Sequence, residues 1–170
     1  KIIKKDGAKL KSNQIILQIS GNTGTILSCE RTALNLLSRM SGIATQTNFL
    51  VSKIRKINKK TKLYSTRKTA PGLRFFDKEA IMIGGGHKHR MSLNDMVMIK
   101  DNHLLVTNSM EGIIKSARKR HKHVEVEVEN QRDAILAASS GATIVMLDNF
   151  SPVQIKKTIT TLQKKKLRNK

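Results

Sequence analysis

The stretch that decides the fold is VEVEVENQRDAILAASSGATIVMLDN, which occupies residues 124–149. Valine and glutamate alternate over residues 124–128, which predicts a strand with one apolar face. Residues 131–140 form a helix-forming run that is closed by Gly141, a residue type that commonly ends helices. The apolar run 143–147 predicts a second strand. Strand, helix and strand in this order predict a right-handed βαβ unit with parallel strands.

The same alternation continues toward both ends of the chain. It predicts two further strands, at residues 63–65 and 96–99, and three further helices, at residues 75–83, at residues 109–119 with Ser109 as the N-cap, and from Ser151-Pro152 onward. Four parallel strands are half of a closed eight-stranded barrel. The predicted fold class is therefore α/β, with a partial, TIM-like barrel.

The part of the chain before these units reads differently. Residues 1–29 predict strands and turns around the apolar run 15–17, and residues 30–57 predict one long helix. Apolar residues recur there at intervals of three and four, which predicts a stripe that faces the core: Ala33, Leu34, Leu37, Met40, and Ile43 or Ala44.

Composition suggests one alternative function. The net charge is +21, from 33 Lys and Arg against 12 Asp and Glu, and such a charge is typical of nucleic-acid-binding modules. Much of the lysine falls on polar faces or ends of predicted helices, and aromatic residues make up only 3%, which leaves little for base stacking. We therefore expect no nucleic-acid partner, although a basic nucleic-acid-binding module stays open as an alternative.

Targeting and completeness lead to two expectations. The chain has no signal-like segment and no apolar run near 18 residues, so we expect a soluble, cytoplasmic protein without a membrane partner. It does not begin with Met, and it ends directly after a predicted helix. We expect a fragment that lacks both ends.

Charged side chains follow three of the four predicted strands and lie within the other, at residues 124–128, near the edge where ligands bind in parallel α/β folds. One group is cationic and suits a substrate with carboxylates, which arginine binds bidentately: Arg67, Lys68, His89, Arg90 and Lys100. The other group is acidic and suits a polyphosphate bound through Mg²⁺: Glu127 and Asp148. These residues predict transfer chemistry on an anionic metabolite.

Two neighbouring motifs stay open. Gly84-Gly85-Gly86 is compatible with an anion cradle of backbone N–H groups or with a plain turn. His87 and His89 have the spacing of a metal-binding pair, but no nearby carboxylate or cysteine in the sequence completes a zinc site.

At these motifs the sequence resembles the quinolinate phosphoribosyltransferases. The similarity covers nearly the whole chain, at residues 30–35, 41–45, 66–74, 84–90, 99–103, 125–130 and 147–149. The resemblance implies that quinolinate and phosphoribosyl pyrophosphate give nicotinate mononucleotide, pyrophosphate and CO₂, with Mg²⁺, in NAD biosynthesis. It also implies an N-terminal α/β sandwich, whose last part would be residues 1–36, followed by an incomplete α/β barrel, residues 37–170.

The resemblance further assigns roles by position. Arg67, His89, Arg90 and Lys100 resemble the residues that bind quinolinate. Lys68, Glu127 and Asp148 resemble residues around phosphoribosyl pyrophosphate and its metal, with Glu127 and Asp148 near Mg²⁺ either directly or through water. The expected catalytic set is Lys68, Lys100, Glu127 and Asp148.

Arg31 resembles an arginine that reaches into the neighbouring subunit's site, which implies a homodimer or higher homo-oligomer. Early sandwich strands and later glycine-rich phosphate-binding segments of the family are missing from the sequence, so we expect the isolated chain to be inactive. A related phosphoribosyltransferase that uses nicotinate or another pyridine acid is the alternative within the same class of enzyme.

Overall fold

The structure is a computed structural model that describes residues 1–107 and 109–168. The chain forms two compact units, Lys1–Ser92 and Leu93–Lys170. The first contains α1 (Thr23–Ile57) and α2 (Arg74–Ile83); the second contains β1 (Val97–Ile99), α3 (Asp101–Leu105), α4 (Met110–Arg120), β2 (Val124–Val128), α5 (Gln131–Ser139), β3 (Ile144–Leu147) and α6 (Pro152–Lys164). Among the described residues, none of these helices has the length and apolar character needed to cross a bilayer.

The second unit is built on a parallel sheet in the order β1-β2-β3. Alternation along β2 sends its three valines toward the helices, where they are buried with Ile99, Ile114, Ala134 and Ala137. The glutamates of β2 therefore lie on the opposite face of the sheet. This arrangement of parallel strands and covering helices confirms the predicted α/β class.

Local hydrogen bonds explain where the helices of this unit begin. The Ser109 hydroxyl accepts from the Gly112 N–H at 3.1 Å at the start of α4. The Asn130 side chain accepts from the Asp133 N–H at 2.9 Å before α5, and Ser151 opens α6 with a reciprocal capping box. Each side chain satisfies an amide that has no partner inside its own helix. The predicted cap at Ser109 and the start at Ser151-Pro152 are confirmed.

The first unit departs from the prediction near its beginning. Helix α1 begins at Thr23 rather than at residue 30, so the reading of residues 23–29 as strand and turn was wrong. Asn22 is the reason, because its side-chain oxygen accepts from the Thr25 N–H at 3.1 Å and caps the helix there. Among the residues described before α1, pairing is limited to one antiparallel bridge, between Ile2 and Leu17.

The strand predicted at residues 63–65 forms only a single parallel bridge, between Tyr64 and His87. The Ser65 N–H donates to the His87 carbonyl at 2.9 Å, and the His87 N–H donates to the Leu63 carbonyl at 2.8 Å. Helix α2 lies between these two paired segments in sequence. The pairing brings residues 63–65 and residue 87 side by side, and each segment runs on into predicted site residues.

Helices α1 and α2 are joined by a bidentate ion pair. Arg39 donates to both carboxylate oxygens of Asp77, at 2.7 and 2.8 Å, and Asp77 is only 4% exposed. The Arg39 guanidinium bound to this carboxylate holds the pKa of Asp77 below its ordinary value, against the opposing effect of burial. The pair satisfies a carboxylate that would be costly to bury alone.

The predicted core stripe of α1 is only partly correct. Leu34 and Leu37 are 47% and 37% exposed, whereas the buried positions of the helix are Thr47 and Val51, farther along. The glycines that follow α2 approach α1 closely at Thr47, so close packing is concentrated in the C-terminal half of α1. Periodicity identified a helix but not the part of its face that this unit covers.

Candidate active site

Three predicted site residues occupy matching positions at the C-terminal ends of the strands in the second unit. Met98 pairs with Glu125 and Glu127 pairs with Met146 across the parallel sheet. Lys100 and Asp148 each lie two residues beyond a paired residue of their own strand, so Lys100, Glu127 and Asp148 belong to the same face of the sheet. The Asp148 N–H donates to the Val128 carbonyl at 2.9 Å, which extends the ladder to this residue.

Lys100 and Glu127 form an ion pair on this face. The Lys100 ammonium lies 2.8 Å from the Glu127 carboxylate, with the two side chains 37% and 17% exposed. Lys100 directly follows β1, and its N–H donates to the His103 ring nitrogen Nδ1 at 3.0 Å at the start of α3. The pairing leaves N–H donors of the ammonium for further acceptors, since a lysine carries three.

The third carboxylate, Asp148, lies one strand farther along the same edge. It is half-buried, and one of its oxygens accepts from the Asn149 amide at 3.1 Å. Asn149 adopts a positive φ of 55°, so the chain turns sharply just after this carboxylate. Asp148 therefore lies where the backbone turns away from the sheet after β3.

In the first unit, Arg67 and Lys68 follow the 63–65 segment in a tight turn. The Thr69 N–H donates to the Arg67 carbonyl at 3.0 Å, and the Lys68 N–H donates to the Thr66 hydroxyl at 3.1 Å. Arg67 is half-buried and Lys68 is exposed. The Arg67 Nε atom is buried and finds no hydrogen-bond partner within the described part of the chain. A buried donor of this kind is available to an acceptor from a ligand.

His89 and Arg90 lie on the other segment of the same bridge, and both are half-buried. The His89 N–H donates to the Ser65 hydroxyl at 3.3 Å. The Lys78 ammonium of α2 donates to the carbonyls of His89 and Arg90 at 3.3 and 2.9 Å. The backbone at both predicted cationic residues is thus hydrogen-bonded to a side chain of α2.

Lys78 is a residue that the sequence reasoning missed. Its side chain is fully buried, although lysine is among the residue types least often found in cores. A signal was present, because Arg74, Asp77 and Lys78 have the i, i+3, i+4 spacing of a core-facing stripe with Ile81 at i+7. Polar residues on a stripe of that spacing indicate buried polar contacts.

The glycine run 84–86 acts as a helix cap, and the anion-cradle alternative is not supported. All three N–H groups are taken: Gly84, Gly85 and Gly86 donate to the carbonyls of Ala80, Met82 and Ile81, at 3.0, 2.9 and 3.0 Å. Gly85 has a φ of 88°, the left-handed conformation that is typical of a helix C-terminus closed by two such hydrogen bonds. The geometry leaves these amides committed to α2.

The zinc alternative at His87 and His89 finds no further support. No cluster of three or more His, Cys, Asp or Glu side chains with metal-binding proximity occurs within residues 1–107 and 109–168. A site that relies on the protein alone for all of its metal ligands is therefore not seen in that part of the chain.

Arg31 lies in the first unit on α1, where it is exposed. The predicted site residues are thus distributed between the two units. Arg31, Arg67, Lys68, His89 and Arg90 belong to the first, and Lys100, Glu127 and Asp148 to the second. Within the second unit, Lys100 and Glu127 are in direct contact; within the first, Ser65 and Lys78 join the backbones that carry Arg67, His89 and Arg90.

Known proteins similar to the chain agree with one another. The closely related sequences include a probable nicotinate-nucleotide pyrophosphorylase [carboxylating] of Archaeoglobus fulgidus, which is 46% identical over 167 residues, or 98% of this chain and 65% of that protein. The human nicotinate-nucleotide pyrophosphorylase [carboxylating] is 36% identical over 161 residues, or 93% of this chain and 54% of that protein. The chain therefore spans between about half and two thirds of the length of these relatives.

Solved structures show the same likeness. NadC from Streptococcus pyogenes superposes with a TM-score of 0.84 at 42% identity, over 95% of this chain and 57% of that one. The nicotinate-nucleotide pyrophosphorylase of Ehrlichia chaffeensis superposes with a TM-score of 0.89 at 35% identity, over 96% and 60%. Family models for the N-terminal and C-terminal domains of quinolinate phosphoribosyl transferase match residues 1–41 and 43–170. The chain belongs to the quinolinate phosphoribosyl transferase family.

Proposed function

We propose that the full-length product of the gene that encodes this chain, hereafter the full-length protein, is a quinolinate phosphoribosyltransferase. It transfers the phosphoribosyl group of phosphoribosyl pyrophosphate to quinolinate, and it releases pyrophosphate and CO₂ to give nicotinate mononucleotide. The proposal is supported by family membership and by the names of the relatives. The observation that carries it is the convergence of Lys100, Glu127 and Asp148 at neighbouring ends of parallel strands.

The reaction proceeds in two stages, phosphoribosyl transfer and decarboxylation. The quinolinate ring nitrogen forms a bond to the anomeric carbon of the ribose as the carbon–oxygen bond to pyrophosphate breaks. The ring is then a cationic pyridinium. As CO₂ leaves, the electron pair of the carbon–carboxylate bond stays on the ring carbon, where the adjacent positive nitrogen stabilises it. A proton then replaces the lost carboxylate on the ring carbon.

The cationic residues suit the dicarboxylate substrate. Arg67, whose buried Nε has no hydrogen-bond partner among the described residues, and Arg90 supply guanidinium groups that bind carboxylates bidentately. His89 lies beside Arg90 in sequence, and Lys100 adds an ammonium that holds Glu127 and still has donors for a substrate carboxylate. Orienting the acid in this way presents its ring nitrogen to the ribose.

The acidic residues suit the phosphoribosyl donor. Glu127 and Asp148 offer two half-buried carboxylates on one face of the sheet, a donor set that fits Mg²⁺ shared with phosphate oxygens and water. Bound there directly or through water, Mg²⁺ would offset the charge that develops on the departing pyrophosphate. Lys68 is exposed and supplies a further positive charge for the phosphates. Lys68, Lys100, Glu127 and Asp148 form the proposed catalytic set.

Two further features belong to the proposal. We assign the functional unit as a homodimer or higher homo-oligomer in which Arg31 completes the neighbouring subunit's site. We also place the reaction in the cytoplasm, where its highly charged, phosphorylated metabolites would be available.

Substrate preference tests the assignment. Quinolinate carries two carboxylates and nicotinate one, so nicotinate would leave desolvated cations unpaired. We expect kcat/KM of the full-length protein to favour quinolinate by about tenfold to a hundredfold or more, the range that follows from one lost charge-assisted hydrogen bond. Arg90→Ala should lose most of this preference.

Lys88→Ala is the matched control, since Lys88 is a neighbouring cation that pairs with Glu79 of α2. It should keep the preference for quinolinate. Equal kcat/KM values for the two acids in the wild-type protein would instead assign it to the nicotinate-using class.

A further inference from the structure

Lys78 is a buried ammonium in the first unit. The side chain belongs to α2 and has no exposed surface. Its Nζ atom donates to the Ser65 hydroxyl at 3.0 Å and to the carbonyls of His89 and Arg90 at 3.3 and 2.9 Å. Taking a charged ammonium out of water is costly, and contacts of this kind are what make such burial tolerable. A lysine used only to fill space would be a poor choice here.

The three acceptors belong to the two backbone segments that carry the cationic site residues. Ser65 is two residues before Arg67, and its hydroxyl also accepts from the His89 N–H at 3.3 Å. The carbonyls that Lys78 holds are those of His89 and Arg90 themselves. One ammonium thus joins both segments at the residues that lead into, or form, the proposed acid-binding group.

Backbone pairing alone would leave this junction weakly defined. The two segments share one bridge, between Tyr64 and His87, and the pairing ends before the predicted cationic residues. Beyond the bridge, hydrogen bonds of the Ser65 hydroxyl and the Lys78 ammonium continue the connection between the two segments. The ammonium also carries three N–H donors, one for each of the three acceptors, whereas a neutral amide side chain carries two.

We propose that Lys78 is a positioning residue that sets the backbone at His89 and Arg90, and through Ser65 the approach to Arg67, for binding of the pyridine dicarboxylate. The inference rests on the proposed function and adds to it a residue outside the substrate-contacting set. Small displacements of such groups cost affinity and rate because bidentate recognition depends on geometry.

The test uses Lys78→Met in the full-length protein, because methionine fills a similar volume without donating hydrogen bonds. Affinity for quinolinate is measured by calorimetry without phosphoribosyl pyrophosphate, so that no turnover occurs, and the KM for phosphoribosyl pyrophosphate is measured separately. We expect quinolinate binding to weaken by about tenfold or more. The KM for phosphoribosyl pyrophosphate should change by less than about threefold, because the lost hydrogen bonds are to the acid-binding segment.

Lys88→Met is the matched control. Lys88 lies between His87 and His89 on the same segment and pairs with Glu79 of the same helix, α2. The Lys88→Met variant therefore also removes a lysine that joins this segment to α2. Unlike Lys78, Lys88 joins them through Glu79 rather than through the carbonyls of His89 and Arg90. Quinolinate affinity in this variant should equal that of the wild type, whatever its effect on the melting temperature.

Ser65→Ala keeps the inference falsifiable if Lys78→Met does not fold. It leaves the buried charge in place and removes only the shared hydroxyl, and we expect quinolinate binding to weaken by about threefold to tenfold. Folded Lys78→Met that binds quinolinate like the wild type would overturn the inference, as would wild-type affinity in Ser65→Ala when Lys78→Met is unfolded. Wild-type protein that binds no quinolinate would overturn the proposed function, and this inference with it.

Discussion

At the residue scale, the Lys100–Glu127 pair defines the electrostatics of the strand ends in the second unit. The two groups lie 2.8 Å apart and neutralise each other while they remain partly exposed to solvent. A ligand that brings a carboxylate to Lys100 and a cation to Glu127 supplies each with an additional opposite charge. The pair is therefore suited to a site that receives an anionic acid and a metal-bound phosphate side by side.

Asp148→Asn tests the acidic half of this site, because it keeps the shape of the side chain and removes its charge. We expect kcat of the full-length protein to fall by about a hundredfold, and the Mg²⁺ concentration for half-maximal rate to rise, since one of two carboxylates is lost. Quinolinate affinity measured alone should change by less than about twofold. Turnover assays across a magnesium titration provide the measurement.

Glu111→Gln is the control for this variant. Glu111 is an exposed carboxylate of the same unit, paired with Lys115 one turn along α4. Its removal should leave both the rate and the magnesium dependence unchanged. An Asp148→Asn protein that behaved like Glu111→Gln would exclude Asp148 from the metal-dependent step.

At the scale of elements, the end of α2 is positioned by close packing against α1. A Cβ atom added at Gly84 would lie 2.5 Å from the Ala44 carbonyl oxygen and 2.6 Å from the Thr47 Cβ. Only glycine permits this approach, and the approach directs the chain from α2 into the segment of His87 to Arg90. Helix packing thus determines where the segment that carries His89 and Arg90 begins.

Gly84→Ala should therefore destabilise the protein. The added methyl meets backbone and a β-branched side chain, so we expect a loss of about 1–3 kcal/mol in the free energy of unfolding. Gly42→Ala is the matched control on α1, where the described residues place no atom within 4 Å of the added Cβ apart from the adjacent residues and the helix's own nearby backbone. It should stabilise by about 0.5–1 kcal/mol, because alanine favours a helix interior. Urea unfolding measures both, and equal effects would contradict the packing argument.

The ion pair between α1 and α2 predicts a dependence of stability on pH. The hydrogen-bonded Arg39 lowers the pKa of Asp77 in the folded protein below its unfolded value, near 3.9. Its stabilising contribution is therefore present above about pH 4 and is lost as pH falls through the folded pKa. Asp77→Asn should be less stable than the wild type at about pH 6, and this difference should narrow toward about pH 3. Thermal melts across this range provide the test; a difference that stayed constant would contradict it.

At the scale of the whole molecule, exposed apolar residues on α1 bear on the proposed homo-oligomer. Large apolar residues remain exposed along the helix: Leu27, Leu34, Leu37, Phe49 and Leu50. Leu27, Leu34 and Leu37 have the spacing of one helix face, and Arg31 lies within the same stretch. Apolar patches of this kind mark interaction surfaces, which agrees with the proposed homo-oligomer.

Subunit mixing tests whether Arg31 acts across that interface. Arg31→Ala and Lys100→Ala should each be inactive alone in the full-length protein. In a hybrid dimer, one of the two sites then receives an intact Arg31 from one subunit and an intact Lys100 from the other. Random mixing should restore roughly a quarter of wild-type activity. Hybrid dimers that are confirmed by native mass spectrometry but show no activity would place Arg31 outside the neighbouring site.

Much of the second unit was determined by the sequence itself. The strand at β2, the caps at Ser109 and Ser151, and the order of strand and helix apart from α3 were predicted, because each depends on neighbours only a few residues away. The positions of Lys100, Glu127 and Asp148 at strand ends were also predicted from the local pattern, whereas their role in binding stays a prediction. The Asn22 cap of α1 depends on equally local contacts, but it was missed because the neighbouring glycines and threonine were interpreted as a turn.

Only the tertiary structure decided how the local segments use their polar groups. Lys100 reaches Glu127 across 27 positions, Arg39 reaches Asp77 across 38, and the buried Lys78 holds carbonyls 11 and 12 positions away. The glycines after α2 have their role because α1 lies against them. Such contacts depend on where separate elements come to rest. Local periodicity predicts which face of an element is apolar, but it does not predict which distant polar group that face will meet.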